Sequence, residues 1–149
     1  MRIYLDNCCY GRPYDDQSSE QIIAETQSMR FIRKKIENGS MELVTSFMLH
    51  YEINQRKDND KKNKIAKFIK THKTFYVGIE NIDKLDVLSS KIMETGIKTQ
   101  DSYHVASAIL AKCDYLLTTD KRLLKYNSSE IILMNPVDFV KMIGVDKDV

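Results

Sequence analysis

The sequence predicts an α/β fold: a parallel sheet of five strands with helices on both faces, a three-layer α/β/α sandwich. Three observations carry this expectation. Short apolar runs of strand length alternate along the chain with amphipathic runs of helical spacing, as in successive βαβ units. The runs Ile3-Tyr4-Leu5 and Tyr115-Leu116-Leu117 are uninterrupted by polar residues, which suits central strands covered on both faces. Both runs lead to an acid, Asp6 and Asp120, at the strand end where open parallel sheets bind ligands.

In chain order, Arg2 to Asp6 is the first strand. Asn7 to Gln17 contains Gly11, Pro13 and the Asp15-Asp16 pair and reads as a loop. Ser18 with Gln21 forms a capping box, and Ile22, Thr26, Met29, Ile32 and Ile36 then recur at helical spacing up to Asn38-Gly39. Met41 to Thr45 is the second strand. Ser46 caps a helix carrying Leu49, Glu52 and Ile53. Arg56 to Lys73 is a basic helix with a narrow apolar stripe of Ile65, Phe68 and Ile69. Thr74 to Val77 is the third strand, and Ile82, Leu85, Leu88 and Ile92 mark a helix ending at Gly96. Thr99 is read as the cap of the next helix, with Asp101 in its first turn, where a negative charge suits the dipole. Tyr115 to Thr118 is the fourth strand, Lys121 to Lys125 a single turn, and Glu130 to Met134 the fifth strand. Asn135-Pro136 starts the last helix, and Asp146 to Val149 are expected to fray.

Neither repeats nor linkers interrupt the pattern, so residues 1–149 form one domain. Hydrophobic residues at 42% and charged residues at 30% suit a globular chain. No run is long enough to span a bilayer, and the opening residues enter a strand directly, so a cytoplasmic protein without a leader is expected. Cys8, Cys9 and Cys113 show no metal-ligand spacing and are read as reduced thiols, with Cys8 packing on the first helix. A net charge of +2 does not by itself argue for nucleic acid.

Asp6, Glu52, Asp101 and Asp120 are the acids that carry chemistry. If the first and fourth strands are neighbours, all four meet above the carboxyl edge of the sheet. Carboxylates so close cannot all stay ionised uncompensated, so their pKa values rise or a cation sits among them. Oxygen donors favour a hard ion, Mg²⁺ or Mn²⁺, which serves phosphate chemistry by activating water and polarising a phosphoryl oxygen. Taken singly, Asp101 reads better as a helix cap and Asp120 better as a turn residue. Glu52, set among apolar neighbours in Leu49-His50-Tyr51-Glu52-Ile53, is harder to explain away.

Three segments carry a resemblance: Ile3-Tyr4-Leu5-Asp6-Asn7, then Ser46 through Tyr51-Glu52, then Asp101-Ser102-Tyr103-His104-Val105-Ala106 running on to Leu117-Thr118-Thr119-Asp120. In this order and spacing they resemble the PIN-domain nucleases, the family that includes VapC-type toxins. The opening Asp6-Asn7-Cys8-Cys9 followed by Arg12-Pro13 resembles a subgroup with a DNCC-x-x-RP-type start rather than the commonest VapC opening. The resemblance implies a PIN-like α/β/α fold and Mg²⁺- or Mn²⁺-dependent endoribonuclease activity. It implies that Asp6, Glu52, Asp101 and Asp120 form the catalytic metal-binding set, with Asn7 and Thr119 as polar neighbours. It also implies a homodimer and a cognate antitoxin, as in a type II toxin–antitoxin pair. The alternative reading is a non-catalytic RNA-binding or antitoxin-binding PIN module.

Two further residues are weighed from their positions. His104, one turn after Asp101, is placed to contact phosphate or a ligand carboxylate, or to bond within the structure. Arg12 is placed to hold a phosphate or to pair with Asp15 or Asp16.

Overall fold

The computed structural model describes residues 1–144. The expected fraying of Asp146 to Val149 lies outside the described residues. Five strands, β1 (Arg2–Leu5), β2 (Glu42–Ser46), β3 (Lys73–Val77), β4 (Tyr115–Leu117) and β5 (Ile132–Met134), form one parallel sheet in the order β3-β2-β1-β4-β5. β1 is central, and its Ile3, Tyr4 and Leu5 are fully buried, as the uninterrupted apolar run requires. β3 is an edge strand and leaves Phe75 and Tyr76 exposed, with the Arg2 guanidinium over the Phe75 ring.

The helices are α1 (Asn7–Gly11), α2 (Glu20–Glu37), α3 (Phe47–Asn54), α4 (Asn59–His72), α5 (Ile82–Met93), α6 (Thr99–Leu110) and α7 (Pro136–Ile143). The chain steps from β1 through β2 to β3 in one direction, then returns to β4 and β5 on the other side of β1. Right-handed crossovers therefore put α2 and α4 on one face and α5 and α6 on the other. The packing agrees: α2 meets α7, the Arg33 guanidinium of α2 lies over the Phe68 ring of α4, and α5 runs against α6. The direction of the chain reverses between β1 and β4, so the crevice at their carboxyl ends is the topological switch point.

Four local expectations are corrected. Asn7 to Gln17 is not simply a loop: the Asp6 side chain caps α1, and Arg12–Tyr14 adds a 3₁₀ turn. Five residues are too few to show a period in sequence. Ser19, not Ser18, caps α2: the Ile22 N–H donates to Ser19 Oγ, and Ser18 lies one residue earlier in an Asx turn with its N–H on Asp16 Oδ1. Thr99 is the first residue of α6 rather than its cap, which is Lys98. The basic helix begins at Asn59 with Asp58 as its cap, leaving Arg56 in the preceding turn.

A buried ion pair ties the α1 side of the sheet to α2. Arg12 Nε donates to Glu25 Oε1 (2.8 Å), and its Nη1 and Nη2 donate to Asp15 Oδ2 (2.6 Å) and Thr119 Oγ1 (3.0 Å). Glu25 Oε2 accepts from Asn135 (2.6 Å) and Gln21 (3.0 Å). Burial alone would raise the Glu25 pKa, but these donors and the Arg12 charge bring it below the usual range. Arg12→Ala would leave Glu25 buried without its counter-ion. Urea denaturation at neutral pH is expected to show a loss of about 3 kcal/mol, shrinking as pH falls and Glu25 takes up a proton.

Candidate metal and active site

β1 and β4 pair in register, Leu5 opposite Leu117, and the Asp6 N–H continues the ladder to Leu117 O (3.0 Å). This brings the residues after both strands together. Asp6 is 6% exposed, and both carboxylate oxygens are fixed: Oδ1 accepts the Asn7 N–H (2.7 Å), and Oδ2 accepts the Thr118 hydroxyl (2.8 Å). Asp120 follows two residues later; its N–H donates to Thr118 Oγ1 (3.1 Å), and its Oδ1 accepts the Arg122 N–H (2.8 Å).

Glu52 reaches the same place from α3. Ser46 ends β2 and caps α3 by accepting the Leu49 N–H. Its Oγ also lies 2.6 Å from the Tyr4 hydroxyl, which lies 2.6 Å from His104 Nδ1, and His104 Nε2 lies 2.8 Å from Glu52 Oε1. A carboxylate only accepts, so Nε2 carries the proton. His104 is fully buried and 3.9 Å from Asp6 Oδ1, so it supports the acids from beneath. Burial opposes its charge, but the Glu52 hydrogen bond and the charges of Asp6, Glu52 and Asp101 prevail and raise its pKa.

Asp6, Glu52 and Asp120 line one open cleft of about 510 Å³, together with Asn7, Cys8 and Gln100. Asp101, in the first turn of α6, is half-buried beside it. Burial first, then the charges of Asp6, Asp120 and Glu52, push its pKa from 3.8 to about 6, against the opposing pull of His104. One ligating atom each from Asp6, Glu52 and His104 lies within 4.8 Å of the others, close enough for one ion. Both His104 nitrogens already have partners, so the donor set facing the cleft is carboxylate oxygen, which fits a hard divalent cation.

Three of the acids named from sequence, Asp6, Glu52 and Asp120, thus meet at one cleft; Asp101 is not among its lining residues and is linked to them by charge alone. Of their polar neighbours, Asn7 lines the cleft, Thr119 is held by Arg12, and Arg12 itself is engaged by Glu25, Asp15 and Thr119. Cys8 does not simply pack on the first helix: its sulfur lies in the cleft, 3.5 Å from Asp6 Oδ2, and accepts the Thr119 N–H (3.4 Å). Thr118 and Tyr4 were not read from sequence as site residues, and Ser46 was read only as the cap of α3, which it is. The signal available was a hydroxyl at a strand position bound to be buried, which must find a partner.

Burial of Asp101, and after it the neighbouring acids, costs stability in the metal-free protein. The folded Asp101 pKa lies above its unfolded value, so the cost is absent below pH about 4 and grows to its full size above pH 6. Asp101→Asn in EDTA is expected to melt at a higher temperature than wild type at pH 7.5, with the two converging near pH 4. Calorimetric melts across that range check this.

No family model and no curated protein sequence matches this chain. Among solved structures, it matches VapBC2 from Rickettsia felis bound to a promoter DNA fragment, with a TM-score of 0.55 and 14% identity over 91% of this chain and 98% of that one. It matches FitAcB from Neisseria gonorrhoeae with a TM-score of 0.53 and 17% identity, covering 90% of this chain and 97% of that chain. FitAB bound to the IR36 DNA fragment matches with a TM-score of 0.56 and 17% identity, over 91% and 95%. Identity at this level speaks for the fold and not for the chemistry. The strand order, the layers and these matches together give the chain a PIN-like α/β/α fold.

Proposed function

We propose that this protein is a metal-dependent endoribonuclease, with Asp6, Glu52, Asp101 and Asp120 as its acidic centre and Mg²⁺ or Mn²⁺ as its ion. The observation that carries the reading is the shared cleft: Asp6, Glu52 and Asp120 line it, and Asp101 is electrostatically coupled to all three. A bound divalent ion would supply a Lewis acid for the phosphoryl group and lower the pKa of attacking water.

The chain's own residues hold this arrangement. Asp6 and Asp101 are assigned as ligands. Thr118 and the Asn7 N–H keep both oxygens of Asp6 from rotating. Tyr4 and His104 orient Glu52 from the buried side, in the manner of residues that orient metal ligands. Glu52 and Asp120 complete the pocket by ligation or by orienting the attacking water. Hydrolysis would proceed by in-line displacement at the phosphodiester, leaving a 5′-phosphate and a 3′-hydroxyl as the PIN resemblance implies.

The likeness to chains from VapBC2 and FitAB structures supports a toxin with a cognate antitoxin; the homodimer and the cytoplasmic location are proposed from the PIN resemblance alone. Among the described residues no helix is long and apolar enough to cross a membrane.

Total RNA incubated with protein and Mn²⁺ or Mg²⁺ tests the activity. Wild type is expected to give discrete cuts that EDTA abolishes, and Asp101→Asn to lower the rate by about two orders of magnitude or more. Intact RNA in the presence of folded, metal-loaded wild type would contradict this reading and favour a non-catalytic RNA-binding or antitoxin-binding module.

A further inference from the structure

Arg56 sits in the turn after α3, outside the basic helix, and every hydrogen bond of its guanidinium goes to one neutral residue. Nε (3.1 Å) and Nη2 (2.9 Å) donate to Asn7 Oδ1, and Nη2 also donates to Asn7 O (2.9 Å). Among the described residues Arg56 pairs with no carboxylate, although four acids gather beside Asn7.

Gly11 is what admits the guanidinium. A Cβ there would stand 2.7 Å from Arg56 Nη2 and 3.2 Å from Nη1. The Gly11 backbone is right-handed, with φ −79°, so this glycine serves close approach rather than an unusual turn.

The consequence falls on Asn7. Arginine has donors and no acceptor, so the amide oxygen must be the atom that faces it. The amide nitrogen is thereby turned away from Arg56. Asn7 lines the cleft, and among the described residues its Nδ2 has no partner. A fixed NH₂ donor beside a guanidinium that has no carboxylate partner among the described residues attracts an anionic acceptor. In a cleft that hydrolyses RNA, the acceptor to hand is a phosphate oxygen next to the bond being cut.

We propose that Arg56, seated against Gly11, is a positioning residue that fixes the Asn7 amide as a donor to a non-bridging phosphate oxygen of RNA in the cleft. This rests on the ribonuclease reading and adds to it how the substrate backbone is held.

The test is binding of a short fluorescein-labelled single-stranded RNA, read by anisotropy with Ca²⁺ in place of the active ion, beside calorimetric titration with Mn²⁺. Asn7→Ala and Arg56→Ala are each expected to weaken RNA binding about tenfold, with Mn²⁺ affinity retained. The double variant should lose no more than either single one, because both remove the same contact. Gly11→Ala, which touches neither RNA nor ion, should weaken binding by displacing the flexible guanidinium. Arg56→Lys keeps the charge without the two-point grip and should not restore binding.

Additive losses in the double variant would overturn the assignment. So would full affinity in Arg56→Lys, or wild-type binding in both Arg56→Ala and Gly11→Ala. Wild type that takes up neither Mn²⁺ nor RNA would instead remove the ribonuclease reading, and this assignment with it.

Discussion

Parallel pairing of β1 with β4 is the constraint on which the site depends. The two strands are far apart in sequence, yet Leu5 lies opposite Leu117, so Asp6 and Thr118 leave the sheet side by side. The Thr118 hydroxyl then bonds Asp6 Oδ2 and accepts the Asp120 N–H. A slip of one residue would turn the side chains of the strand ends to opposite faces and separate these groups. The register is secured from within by the buried Ile3, Tyr4, Leu5, Leu116 and Leu117. Packing energy distributed over the central strands is therefore what specifies the position of one carboxylate.

Gathering acids at a half-enclosed edge raises the electrostatic energy of the metal-free fold, most visibly at Asp101. Two sets of contacts flank the acids. Beneath the acids, His104 holds Glu52 and is held in turn by Tyr4 and Ser46. At the side, the hydrogen bonds of Arg56 go to Asn7 and to none of the acids. Arg12 is used differently, being committed to Glu25 and Asp15 as part of the framework. Two arginines near one cleft thus have separate roles, and only their partners distinguish them.

Much of this was legible in the residues. The apolar runs of β1 and β4 end at acids, which marked both the strands and the edge of interest. Glu52 stood out among apolar neighbours, and Asp101 fell in the first turn of a recognisable helix. Other features were not legible, for physical reasons. Helix α1 is five residues long and begins on a side-chain cap from Asp6, so no period could announce it. The Tyr4, Ser46, His104 and Glu52 chain joins β1 and α6 to the β2–α3 junction, segments distant in sequence that only the folded sheet brings together. Arg56 opened a run of lysines and read as one more charge on a basic helix. Its departure from that helix is set by the Asp58 cap, which starts α4 three residues later.

The central claim is that the converging carboxylates form a divalent-metal site, and direct titration with Mn²⁺ tests it most simply. Calorimetry of the EDTA-stripped, dialysed protein should show saturable Mn²⁺ binding that Asp6→Asn and Asp101→Asn each weaken strongly while both variants remain folded by circular dichroism. Folded wild type that binds no Mn²⁺, or binds it equally well without Asp6, would contradict the account.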